Sequence, residues 1–354
     1  MRRLFGFLGR KLPFKKPQMP PRLQRKHLAL AVLTLMVSVL FVADLAFGSI
    51  PIPFSAVWAG LTGGIPRHPE WMAIITEIRL PKALTAILAG ASLATGGLLT
   101  QSLFRNPLTG PDAIGLTSGA GLGVALAVLA GAGNSMGLTL AMAASAGAAG
   151  SFFIISLIGS RVGGGTLLVA GLMQGAFTSA IVSALQFFSD ARDLQRYTLW
   201  TLGSIGGTGQ GEVMIMTLTL ITGLIVAWAS VKGLNGFALG NSYAESIGIN
   251  TKALKISILV SSSLLTGAVT AFCGPVTFVG IAAPHLIRRI ADTNDHLYLI
   301  PMSALTGSLL VLACDLITQL PGSGQVLPLN SVTALLGAPV VIWVLMRTKS
   351  AFFK

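Results

Sequence analysis

Three places in this sequence carry residues whose type and spacing suggest work beyond filling a membrane. The stretch Glu77-Ile78-Arg79-Leu80-Pro81-Lys82 sets two cations three residues apart at the head of an apolar run. Arg79 and Lys82 either snorkel their charges to lipid headgroups or form a charged rim that docks an acidic partner. Residues 234–250 read as two short helices broken at Gly240. Phe237, Leu239, Ala244 and Ile247 then sit as apolar side chains on a loop that lipid does not cover, a pattern that asks for a protein partner. An interfacial helix is the alternative, but its polar face lacks the basic residues such helices carry. The turn Ser160-Arg161-Val162-Gly163-Gly164-Gly165-Thr166 holds three consecutive glycines. These allow the torsions of a hinge at little steric cost; an ordinary helix–helix connection uses glycine equally well.

Other chemistries find little support. Asp315 reads as the one carboxylate deep in an apolar run. Left unpaired there it would cost about 2.5–3.5 kcal/mol on insertion scales, so it should face protein or water. A proton relay is conceivable; with no basic partner evident in the apolar runs, a structural hydrogen bond is the better reading. His27, His68, His285 and His296 are scattered without metal-ligand spacing, so neither a metal nor another cofactor is expected. Cys273 and Cys314 lie far apart in apolar surroundings and read as inert buried thiols. Gly163-Gly164-Gly165-Thr166 lacks the lysine and the preceding strand of a phosphate loop. ATP hydrolysis by the chain itself is therefore not expected, nor is enzyme activity.

The elements that must position these residues are membrane helices. Apolar residues make up 53% of the chain and charged residues 10%, against about 25% charged in soluble domains. The apolar residues fall into blocks of about 20, the length that crosses a hydrocarbon core of roughly 30 Å. Ten spans are predicted, near 28–48, 83–103, 113–132, 137–159, 166–187, 212–231, 254–272, 274–290, 299–319 and 331–347. The eighth is the weakest, diluted by prolines and glycines. Tyr197–Ile205 is too short to span and reads as a half-helix or re-entrant segment. Gly119/Gly123, Gly133/Gly137 and the small residues of 141–150 predict close helix packing.

Charge then orients the spans. Nine of the 24 Lys and Arg residues precede the first span. The apolar run after them is a full span, longer than a signal-peptide core, so a retained first helix with a cytoplasmic tail is expected. Threading ten spans from an inside start leaves only Arg67, Arg79, Lys82, Arg192 and Arg196 outside, in keeping with the positive-inside rule. The net charge of +13 is thus a topology signal; the basic residues flank spans and form no nucleic-acid-binding domain. The expected organisation is a basic cytoplasmic tail (1–27), one transmembrane domain (28–348) and a short cytoplasmic C-terminal tail (349–354).

The stretch Gly274-Pro275-Val276-Thr277-Phe278-Val279-Gly280-Ile281-Ala282-Ala283-Pro284-His285-Leu286-Ile287-Arg288-Arg289 would be a poor helix in water, because each internal proline removes a donor and clashes with the preceding turn. Among membrane helices neighbouring groups satisfy the freed backbone. With it come Arg79-Leu80-Pro81-Lys82, Gln101 to Asn106-Pro107-Leu108, Pro111, Gly115-Leu116-Thr117-Ser118-Gly119-Ala120, Leu239-Gly240 to Ala244, Ile247-Gly248-Ile249-Asn250, Leu327-Pro328-Leu329 and Val332-Thr333-Ala334-Leu335-Leu336-Gly337-Ala338-Pro339. In this order these motifs resemble the FecCD family, the permease subunits of bacterial ABC importers for ferric siderophores, haem and cobalamin.

The resemblance runs from the first span to the last and implies an all-α polytopic membrane protein of about ten transmembrane helices, with the fold of a cobalamin-importer permease. It implies a homodimer, or a pair with a close paralogue, in the bacterial inner membrane, with the substrate path between the two copies. ATP-binding cassette ATPase subunits would sit on a coupling loop carrying Leu239, Gly240, Ala244, Ile247 and Gly248. A periplasmic or lipoprotein substrate-binding protein would dock near Arg79 and Lys82, and a cytoplasmic gate would lie near Gly164, Gly165 and Thr166. Two residues depart from the family pattern: Lys82 stands where R-L-P-R ends in arginine, and Gln319 where an arginine often follows the segment like Ala313-Cys314-Asp315-Leu316. The competing reading is an ion-coupled secondary transporter, which would want charged groups at a midplane site and inverted repeats. An intramembrane enzyme is more remote still, for want of a His cluster or a Ser/Lys pair.

Overall fold

The structure is a computed structural model that describes residues 21–48, 50, 52–64, 68–130, 138–159, 161–319 and 326–348. The regular elements among them are all helical. In chain order they are α1 (Pro21–Ala46), α2 (Phe54–Thr62), α3 (Pro69–Ala73), a π-helical turn (Ile74–Arg79), α4 (Leu80–Phe104), a 3-10 turn (Pro111–Ile114), α5 (Leu116–Leu129), α6 (Leu138–Gly159), α7 (Gly164–Phe187) and α8 (Ala191–Thr201). They continue with α9 (Gln210–Ala229), α10 (Val231–Ala238), α11 (Asn241–Ser246), α12 (Thr251–Cys273), α13 (Val279–Ala291), α14 (His296–Thr318) and α15 (Leu329–Thr348). Each of the ten predicted spans falls on one of these helices. Seven helices among the described residues are long and apolar enough to cross a membrane unaided.

Two elements differ from the pattern read in the sequence. The second span does not begin at 83: α3, the π turn and α4 run on as one helix from Glu70 to Phe104, with Pro81 inside it directly after the π turn. The eighth span is not a continuous helix. Residues 274–278 are not helical, and α13 has only 13 residues, about 20 Å at 1.5 Å per residue. The break has local causes. Gly274 and Phe278 both adopt left-handed torsions, φ +74° and +67°, and two prolines lie within ten residues. Neighbouring chain satisfies the exposed backbone: the Ser204 amide donates to the Cys273 carbonyl (2.9 Å), and Asn330 Oδ1 accepts from the Thr277 amide and hydroxyl (3.2 and 2.7 Å). The interrupted helix of this protein is therefore α13. Tyr197–Ile205, expected as a half-helix or re-entrant segment, begins on the last turns of the 11-residue α8, which stops at Thr201 before a left-handed Gly203.

α4 stands at the centre, packed by α14, α12, α13 and α9. Glycine makes that packing possible. A Cβ added at Gly90 would run into the Gly307 carbonyl of α14, and one at Gly97 into the Gly280 carbonyl of α13. The same device joins α5 to α6, where Gly119 and Gly123 face Gly147 and Ala143. Without a hydrophobic drive in lipid, such close backbone approach is what holds helices together. Gly133 and Gly137 lie outside the described residues.

Candidate functional site

The loop at the basic end of the molecule is built as two short helices. Gly240, at φ +135°, breaks α10 from α11, and Gly248, at φ +83°, turns the chain into α12. A Cβ at Gly248 would meet nothing within 4 Å, so glycine is needed there for its torsion and not for space. One side of this unit is locked into the core. Leu234, Phe237 and Ala244 pack in one cluster with Leu103, Leu254, Ile287 and Leu299. Arg105, itself left-handed at φ +49°, donates to the Phe237 carbonyl (2.8 Å) and lies 4.6 Å over its ring. The sequence placed Phe237 and Ala244 on an exposed face; both are buried, Ala244 completely. The exposed apolar set is instead Leu239 (70% exposed), Tyr243 and Ile247.

A polar chain that no motif announced ties this unit to the spans. Asn235 on α10 donates to Asp295 Oδ1 (2.8 Å) and accepts from the His296 amide (3.0 Å). His296 Nδ1 lies 2.7 Å from Asn235 Oδ1, and its Nε2 lies 2.8 Å from Ser102 Oγ on α4. Because Asn235 Oδ1 is an acceptor, the ring carries its proton on Nδ1, which leaves Nε2 an acceptor beside Ser102 Oγ, whose one proton also has the Leu98 carbonyl within reach (2.8 Å). The α10–α11 unit is thereby tied to the first turn of α14 and the last turn of α4. Alongside, Arg288 of α13 donates to Gln101 Oε1 (2.9 Å). The one signal in the sequence was a histidine at the head of an apolar run, beside an aspartate that caps the helix through the Leu297 amide (3.0 Å).

At the opposite end the two cations read as snorkelling to lipid headgroups or as a docking rim are turned inward. Arg79 is only 7% exposed. Its guanidinium donates to the Leu45 and Ala46 carbonyls (2.8 and 2.9 Å) and to that of Ile50. It thus satisfies the last carbonyls of α1, which have no partner within the helix. Lys82 Nζ pairs with Asp315 Oδ2 at 2.7 Å. Asp315 is therefore not a lone acid. Gln319 completes the cluster, donating to Asp315 Oδ2 (2.8 Å) and to Asp44 Oδ1 (3.2 Å). Asp44, buried near the end of α1, is a second intramembrane carboxylate that the sequence reading passed over because it sits close to a span end. Two cations and two acids meet, and each is better served by its neighbours than by an outside partner. The residues that depart from the family pattern, Lys82 and Gln319, meet on one carboxylate.

The glycine turn is plainer than a hinge. Gly163 caps α7 in an extended conformation (φ −73°), and neither it nor Gly164 or Gly165 takes a left-handed torsion. A Cβ at Gly163 or Gly165 would meet nothing within 4 Å. Thr166 is exposed and begins a strip that continues through Val169, Leu172, Met173 and Phe177 along α7. Ser160 lies outside the described residues.

Comparison with known proteins decides the family. Residues 35–347 match the FecCD transport family. The chain belongs to that family. Along 91% of its length this FecCD permease is 31% identical to a hemin transport system permease, HmuU, of Yersinia pestis, covering 96% of it. It is 34% identical over 92% of its length to a vitamin B12 import system permease, BtuC, of Serratia proteamaculans, covering 94% of that protein. Its fold superposes on a metal-chelate type ABC transporter in an inward-facing conformation with a TM-score of 0.79 at 26% identity, covering 90% of this chain and 98% of the other. PsaBC of Streptococcus pneumoniae, in complex with Fab, shares the fold at 15% identity and a TM-score of 0.50. The chain is thus a membrane permease subunit of the ABC transporter class.

Proposed function

We propose that this FecCD permease is the membrane subunit of a bacterial inner-membrane importer for a metal chelate of the siderophore, haem or cobalamin kind. It is driven by ATPase subunits that bind its basic, cytoplasmic face, and it has no nucleotide site of its own. The observation that carries this reading is the α10–α11 unit. Leu239, Tyr243 and Ile247 stand exposed on it, while its other side is held by Arg105 and by the Asn235–His296–Ser102 chain. A unit with one apolar face free and the other fixed to α4 and α14 is built to receive a push and pass it on.

The path of that push follows from the packing. α4 and α14 pack closely along their length through Gly90 and Gly307. They are tied to the coupling loop at one end and to each other at the other, through Lys82 and Asp315. Moving α10–α11 then shifts the pair as a rigid body. A binding protein would dock at the Arg79 end, where Arg79 and Lys82 act by holding α1, α4 and α14 in shape. A second copy would cover the α7 strip that begins at Thr166, next to Gly164 and Gly165, and the gate would lie there. The buried charges gather at one end of the helices, not at a midplane site, which weighs against an ion-coupled carrier.

The test is co-purification with, and stimulation of, a co-expressed ATP-binding subunit. Leu239→Asp should cut binding at least tenfold while the chain still folds. Ala244→Glu should instead abolish the folded protein, because that side chain is core. A Leu239→Asp variant that retains full ATPase stimulation would refute the coupling role.

A further inference from the structure

α6, α9 and α12 leave a groove of about 330 Å³ between them. Ser145, Ala149 and Phe152 of α6, Thr219 of α9, and Ser263 and Gly267 of α12 form its walls. Two of the three hydroxyls are turned away from it: the Ser263 oxygen is covered, and the Thr219 hydroxyl donates to the Met216 carbonyl (2.9 Å). No Asp, Glu, Lys, Arg or His occurs in 138–159, 213–229 or 256–273, so the groove is uncharged along its length. Ile215 and Val260 on its edges are exposed, as are Met142 and Phe153 of α6 and Leu218 and Ile221 of α9. The groove therefore opens on a face that hydrocarbon bathes. Elsewhere in this molecule glycine draws helices together, as Gly90 and Gly97 do. Gly267 does the opposite: a Cβ there would meet only the Ala148 Cβ, at an ordinary 3.7 Å. α6 and α12 stand apart at this level, and the space between them is unfilled.

Its shape and its ends say what fills it. From Val260 to Phe272 the groove runs about 18 Å at 1.5 Å per residue. About 330 Å³ over that length is a slot much thinner than the 10–12 Å cylinder of a helix, so a helix of a second copy or of a partner does not enter it. A single hydrocarbon chain does. At the basic end of the molecule the slot meets charge. The slot face of α12 continues at helical spacing from Val260 through Ile256 to Lys252, and all three are exposed. Gly159, at the end of α6, lies against Leu259, which sets the exposed Arg161 beside the same turns of α12. Among the described residues neither Arg161 nor Lys252 makes an ion pair. The carboxylate of the neighbouring α11, Glu245, is taken up by Asn241 and Thr251 (3.0 and 2.9 Å). An apolar slot ending on unpaired cations matches a lipid whose chain is apolar and whose headgroup is anionic.

We infer that α6, α9 and α12 form a binding site for an anionic phospholipid, with one acyl chain in the slot and the phosphate held by Arg161 and Lys252. The chain fills the space that Gly267 leaves and fixes the distance between α6 and α12. The headgroup sits at the first turn of α12, directly after the α10–α11 unit. This site lies away from the α7 strip and does not depend on the importer reading.

Native mass spectrometry of the purified full chain tests this, with equal amounts of phosphatidylglycerol and phosphatidylcholine carrying the same acyl chains. The parent should retain phosphatidylglycerol with about twentyfold preference, since each cation near an anionic headgroup is worth about fivefold. Lys252→Gln and Arg161→Gln should each lower that preference about fivefold. Ala149→Leu, at an exposed lining position, should fill the slot and cut retention of both lipids. Arg25→Gln, an exposed cation on α1, should change neither. Excess glycerol 3-phosphate should leave the lipid in place, because the slot holds the chain. Equal retention of the two lipids by the parent, or parent-like retention in Ala149→Leu, would overturn the inference. So would displacement by glycerol 3-phosphate, which would leave an anion site without a chain. Cross-linking of Ala149→Cys between two copies would make the groove a protein interface instead. None of these results touches the importer reading, which stands or falls on ATPase stimulation.

Discussion

α4 and α7 are nearly the same length and have the same mean hydropathy over their most apolar stretch, 1.6, yet 89% of that stretch is buried within the subunit in α4 and 17% in α7. Their glycines differ in number of close contacts. Gly90 and Gly97 of α4 face the carbonyls of Gly307 and Gly280, whereas in α7 Gly171 meets the Ala113 carbonyl of the 3-10 turn and Gly165 faces open space. Hydropathy measures the preference of a helix for a medium without water, and protein interior and lipid satisfy it equally. Which of the two a helix receives depends on whether small residues line up with a neighbour's backbone. α4 is therefore framework, and α7 is a surface left for lipid, cargo or a second copy.

The sharpest way to break this contrast is to add bulk to both helices. Gly97→Leu has no room against the Gly280 carbonyl and should eliminate the folded protein. Gly165→Ala should leave thermal stability within about 0.5 kcal/mol of the parent, as surface changes usually do. Yield and melting temperature of the detergent-solubilised chain decide the matter, and a stable Gly97→Leu protein would mean that α4 is not framework.

A smaller effect is expected at the charged end of α4. Lys82→Ala strands Asp315 and Asp44 with only Gln319 between them and should cost about 3–5 kcal/mol, the usual consequence of removing one partner of a buried pair. The double variant Lys82→Met, Asp315→Leu should recover most of that loss, since two apolar groups leave no charge behind. If Lys82→Ala melts with the parent, the cluster is solvated and Lys82 is available to a docking partner after all.

The smallest effect is at the other end. Ser102→Ala and Asn235→Ala each remove one side of His296 and should lower coupled ATPase activity about fivefold with little change in stability. Acting through the same imidazole, the pair combined should cost no more than either alone, and Ser102→Thr should keep coupling. Additive losses would show two separate local defects and no relay between loop and span.

Much of this was legible in the sequence, and the misses share a cause. The ten apolar blocks, the break at Gly240 and the small-residue contact of Gly119 and Gly123 were all readable, because each depends on residues close in the chain. Arg79 and Lys82 were misread as free cations because Asp315 and the carbonyls of Leu45 and Ala46 are far off in sequence. Phe237 and Ala244 were placed on the surface because a loop's apolar residues look alike until the core they enter is known. Ser102, Asn235 and His296 carried no motif at all.

By itself the sequence determined that this chain enters a membrane, how many times it is apolar enough to try, which ends are basic and which family it resembles. These follow from transfer free energies and local spacing, which act residue by residue along the chain. Only the tertiary structure decided that α4 is core and α7 surface, that α13 is a half-helix, and that five polar residues from α1, the π turn, α4 and α14 and its cap gather in one cluster at one end. Those outcomes depend on glycine meeting carbonyl and cation meeting acid across tens to hundreds of residues, where direction and distance matter and composition does not.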